Sequence, residues 1–89
     1  MNDELFMNER VRVKALFGGD NLNPLEPISF QRASGREVTI KDIGLRHPTM
    51  AGKRMVHVFD VTDGAADYRL ELDSERLIWH LTREGDRWV

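Results

Sequence analysis

The 89-residue chain reads as an all-β protein, a small antiparallel barrel or strongly bent sheet of about five to six strands. Apolar and polar residues alternate in residues 10–17, 28–41 and 67–73, and successive strand side chains face opposite sides of a sheet. Turn signals at Ala33-Ser34-Gly35 and Asp63-Gly64 punctuate those runs at the spacing of hairpins. Short strands joined by regular turns fold into barrels or bent sheets.

Residues 1–8, with Leu5, Phe6 and Met7 in a polar setting, are expected to be loosely ordered, and residues 9–89 to form a single small β domain. From Arg10 to Phe17, Val11, Val13, Ala15 and Phe17 share one side, with Arg10, Arg12 and Lys14 on the other. This is a strand with a cationic outer stripe. Gly18-Gly19-Asp20 ends it, and Asn21 to Pro27 is read as a loop, because proline cannot feed a central ladder.

Pro27 to Ile43 is the clearest hairpin. Ile28, Phe30, Val38 and Ile40 are assigned to the core, and Gly35 suits the positive φ of the turn. Ile43 and Leu45 then fall on the face that Thr39 and Lys41 kept polar, which predicts a bulge or strand end near Asp42. Gly44 to Lys53, with Arg46, His47, Pro48 and Gly52, reads as a second loop, long enough to be functional.

Arg54 to Thr62 is two-sided: Met55, Phe59 and Val61 share one face, and Val56 and Val58 the other. Asp67 to Asp73 returns to alternation, with Tyr68, Leu70 and Leu72 inward. Residues 74–84 fit either a helix capped by Ser74 or a strand. Strand is preferred, since Leu77, Trp79 and Leu81 alternate with Ile78, His80 and Thr82. Gly85-Asp86 is read as a turn into a short terminal strand, Arg87-Trp88-Val89.

The composition narrows the function classes. A hydrophobic content of 40% and a charged content of 31% belong to a folded chain. The start, MNDELFMNER, lacks the basic and apolar character of a signal peptide, and no apolar run reaches membrane-spanning length, so a cytoplasmic location and no membrane partner are expected. Without cysteine there is no disulfide framework, thiolate-bound zinc or cysteine nucleophile. The net charge is −2, yet residues 9–58 carry +4 and residues 59–89 carry −4, a hint of a bipolar surface.

Pro27-x-x-Phe30, Gly35-Arg36-x-Val38-x-Ile40, Phe59-x-Val61 with Asp63-Gly64, Leu70-x-Leu72 and Trp79-x-Leu81 together resemble a family of small uncharacterised bacterial all-β domains with a Phe-x-Trp-x-Gly-Arg-x-Tyr-x-Val hairpin. Here Arg32 stands at the tryptophan, an extra residue precedes Gly35, and Val38 replaces the tyrosine. The resemblance implies a β fold and, because some members accompany translesion-type DNA polymerases, a setting in DNA repair.

No residue pattern points to catalysis, metal or cofactor. His47, His57 and His80 lack a second histidine or a cysteine at ligand spacing. His57 and His80 meet only if their strands pair in a particular register. Asp60, Asp63 and Asp67 lack the spacing and distal glutamate of a calcium loop. The serines lie in no nucleophile-elbow pattern and no Gly-rich phosphate loop occurs. The expectation is therefore a non-enzyme, a small binding or accessory module.

Two partner classes are candidates. Nucleic acid would meet Arg10, Arg12 and Lys14, with Arg32, Arg36, Lys41 and Arg46 as additions, since phosphate binding needs clustered cations. Lys53 and Arg54 extend that set. The alternative is protein interaction or homodimerisation through Met55, Val56, Val58 and Trp88, because a two-sided strand in a lone sheet leaves apolar residues to cover.

Overall fold

The computed structural model describes residues 4–20 and 23–86. Seven strands form one antiparallel sheet: β1 (Glu4–Phe17), β2 (Leu25–Gln31), β3 (Glu37–Thr39), β4 (Asp42–Ala51), β5 (Arg54–Thr62), β6 (Ala66–Asp73) and β7 (Ile78–Asp86). The order across the sheet is β3-β2-β1-β7-β6-β5-β4.

That order makes the sheet curl. β3 and β4 lie at its opposite ends, yet only Ile40 and Lys41 separate them in the chain. Three peptide steps reach at most about 11 Å, whereas seven strands laid flat would span about 29 Å. The two ends must therefore come together. Ile40 N–H donates to the Ile28 carbonyl on β2 (2.9 Å), and the next residue, Lys41, donates to Thr62 on β5 (2.8 Å). The all-β, barrel-like expectation thus holds, with seven strands in a curled, half-barrel sheet.

β1 is long enough to serve two neighbours. Its first part pairs with β7, from Glu4 opposite Gly85 to Val11 opposite Trp79. Its second part, Arg12 to Phe17, pairs with β2. The interior is filled by Val11, Phe30, Val38, Phe59, Val61, Tyr68, Leu70 and Leu81. Phe30 and Tyr68 meet edge to face at 5.2 Å and 74°, the favoured arrangement of aromatic pairs.

Several expectations change. Glu4 to Asn8 are the start of β1 rather than loose chain, with Met7 packed on the core. Ile28 is not core: β2 holds an extra residue there, so Lys14 faces Ser29 while Ala15 faces Pro27, and the bulged Ile28 stays 40% exposed. Phe17, assigned inward, is exposed because β1 outruns β7 at that end.

Gly44 to Lys53 is mostly strand rather than loop. β4 runs through Gly44, where the register shifts, and through Pro48. A sheet end tolerates proline because the missing N–H has no second neighbour. Residues 78–86 are strand, as preferred, but β7 continues through Gly85 and Asp86 with no turn. The proposed strand at Arg87-Trp88-Val89 lies outside the described residues.

Candidate functional site

The two ends of the curled sheet are built differently. One end is closed by charge. Arg32, just after β2, donates through Nη2 to Glu9 Oε1 (2.8 Å) and through Nη1 to Glu84 Oε2 (2.9 Å). Ala33 N–H adds a bond to Glu9 Oε2 (3.0 Å). The Arg32 hydrogen bond and then the Ala33 N–H hold the Glu9 carboxyl below the usual glutamate range. Glu9 and then Glu84 raise the Arg32 pKa against the opposing effect of burial. Nearby, burial and then the Asp63 charge push the Tyr68 hydroxyl up.

The other end is open and apolar. A cavity of about 580 Å³ is lined there by residues that include Phe17, Leu25, Pro48, Phe59 and Leu72, with Leu77 at the tip of the β6–β7 turn. Phe17 and Leu77 are exposed at 75% and 76%, so the rim presents apolar surface to water. Phe59 stacks at 5.6 Å on Trp79, coupling the cavity to the core.

Arg46 is the cationic group of this mouth. β4 places it half-buried opposite Phe59. Its Nη1 donates to the Leu25 carbonyl of β2 (2.8 Å), and its guanidinium sits 5.6 Å over the Phe59 ring, within cation–π range. It therefore bridges the seam where the two ends of the sheet meet. His47 and His57 also line the cavity, and no aspartate or glutamate does.

The other sequence-predicted residues are dispersed. Arg10, Arg12 and Lys14 form the expected exposed row on β1, Lys14 lying 3.8 Å from Glu37. Beside that row, a groove of about 420 Å³ is lined by Arg10, Arg12 and Arg32 among others, although Arg32 is engaged by Glu9 and Glu84. Arg36 is exposed and its charge favours ionised Asp63. Lys41 is exposed and packs over Gly64. Arg46 stands in the mouth, apart from the β1 row.

Of the residues assigned to an interface, Met55 is 47% exposed, whereas Val56 and Val58 are 8% and 3% exposed within the single chain. Those two valines give no reason to invoke a partner. Trp88 lies outside the described residues.

His57 and His80 do not meet. His57 is aligned with Leu72 and Trp79, while His80 is aligned with Glu71 and Val58, so they occupy opposite faces. Among the described residues no group of three His, Asp or Glu could hold a metal ion. Asp63, read against a calcium loop, instead accepts the N–H groups of Ala65 and Ala66 (2.8 Å each). These hold its carboxyl low although burial opposes them.

The mouth was missed by residue patterns because its walls come from separate strands and turns. Its one sequence signal is Arg46 and His47 in a stretch without periodicity. Compared with models of known families, with characterised proteins and with solved structures, the chain matches none.

Proposed function

We propose that the protein is a small, non-catalytic binding module whose ligand enters the apolar mouth between Phe17 and Leu77. The observation that carries this is the contrast between the ends: one closed by the Arg32 network, the other an apolar cavity of about 580 Å³. That volume lies in the range of small-molecule sites, which are mostly apolar with a few placed polar groups. Exposed Phe17 and Leu77 add nothing to a core and suit contact with an incoming ligand.

A titration with the neutral dye Nile red tests this. One saturable site is expected, lost to competition by decan-1-ol and weakened several-fold by the double substitution Phe17→Ser, Leu77→Ser, which removes only exposed side chains. Unsaturable binding, or binding indifferent to those substitutions, would overturn the assignment.

The groove beside Arg10 and Arg12 favours a second reading, contact with nucleic acid, which suits the DNA-repair setting implied by the resemblance. Phosphate contacts weaken steeply with salt. Oligonucleotide affinity that is absent at low salt, or unchanged when Arg10, Arg12 and Lys14 are replaced together by alanine, would remove this reading.

A further inference from the structure

We infer that the ligand of the mouth is a small organic monoanion, a carboxylate carried on an apolar body, with Arg46 as its anchor. This rests on the reading of the mouth as a binding site and adds the chemical class of the occupant.

Arg46 carries a charge that the mouth leaves uncompensated. A guanidinium has five N–H donors, and among the described residues the protein offers Arg46 one hydrogen-bond acceptor, the Leu25 carbonyl, and no ion-pair partner. By contrast, Arg32 at the closed end has two carboxylate partners, and Arg69 on β6 has Asp60. A half-buried charge beside apolar walls is costly unless an opposite charge meets it. Arg46 also borders a second cavity whose lining includes Glu26 and Asp42, neither of which forms an ion pair with it. The mouth itself is lined by no acid, so on the mouth side the opposite charge is left for a ligand to bring.

The fixed orientation of Arg46 supports the same role. Its bond to Leu25 and its seat over Phe59 hold the planar group in place, and a carboxylate can take two parallel N–H bonds from such a fork. His47 and His57 offer further donors on the same lining. The remaining walls, including Phe59 and Leu72, contact only an apolar body. A cationic ligand would face Arg46 with no acid to hold it.

Calorimetric titrations with decanoate, decan-1-ol and decyltrimethylammonium below their micellar concentrations share one chain length and vary only the head group. Decanoate is expected to bind at least about tenfold more tightly than decan-1-ol, the gain of a charge-assisted contact, and decyltrimethylammonium more weakly than either. Arg46→Gln should remove the decanoate advantage, so that decanoate and decan-1-ol bind that variant alike, and a decanoate preference that survives the substitution would overturn Arg46 as the anchor. Equal binding of decanoate and decan-1-ol by the unaltered protein would overturn the anion assignment while the mouth stays a binding site. Failure of all three compounds, together with failure of Nile red, would overturn both.

Discussion

Leu77 has a backbone conformation that its side chain disfavours. It is the one non-glycine residue with positive φ, 58°, among those described, in a turn where Asp73 Oδ1 accepts the N–H groups of Glu75 (3.0 Å) and Arg76 (3.1 Å). A left-handed leucine costs about 1–2 kcal/mol, and glycine in its place gives up about 0.5–1 kcal/mol of chain entropy. Leu77→Gly should therefore leave stability unchanged or raise it by up to about 1.5 kcal/mol, read from denaturant midpoints, while Nile red binds less tightly. A clear loss of stability would mean that the leucine is held by packing rather than kept for the rim.

Glu9 gives a second residue-scale prediction. Its carboxyl titrates below the ordinary value of 4.5, so its contribution is fully present above that value and is lost as pH falls through the lower, folded one. Glu9→Gln should cost about 1–3 kcal/mol at pH 7, since it leaves part-buried Arg32 short of a partner. Denaturation at pH 7 and pH 3 should show the gap from the unaltered protein narrowing in acid. Equal gaps at both would exclude the ion pair as the cause. That partnership was not legible in the sequence, because Arg32 lies 23 residues from Glu9 and 52 from Glu84.

At the scale of elements, alternation revealed the strands and their turns, because a half-buried strand imprints its period on the chain. Phe30, Val38, Tyr68 and Leu70 were all placed inward by that rule and are buried. It failed at Ile28, where a bulge resets the parity, and in β4, where Gly44 and Pro48 imitate a loop. A bulge is set by pairing across the sheet, which a single strand's pattern does not carry. Ile28→Ser should accordingly change stability by less than about 1 kcal/mol, whereas Phe30→Ala, two residues on, should cost about 3–5 kcal/mol. Comparable losses at both positions in thermal unfolding would contradict the bulged register.

For the molecule as a whole, the cavity and the fold share one cause. The sheet curls because β3 runs into β4 across Ile40 and Lys41, and the seam is held by the Ile40–Ile28 and Lys41–Thr62 hydrogen bonds and by Arg46 on the Leu25 carbonyl. No local pattern announces this, since it depends on which strands are neighbours. Inserting two glycines between Ile40 and Lys41 relaxes the constraint at little loop-closure cost. The strands need not unfold, so the central pairing of β5, β6 and β7 should keep its amide protection. Amides on both sides of the seam should exchange faster, because the opening is local. Nile red affinity should fall with them, since Leu25 on β2 and Arg46 on β4 would no longer be held together. Hydrogen exchange with unchanged protection at residues 39–43 would show that the short connection does not hold the sheet curled, and intact dye binding would separate the mouth from the closure.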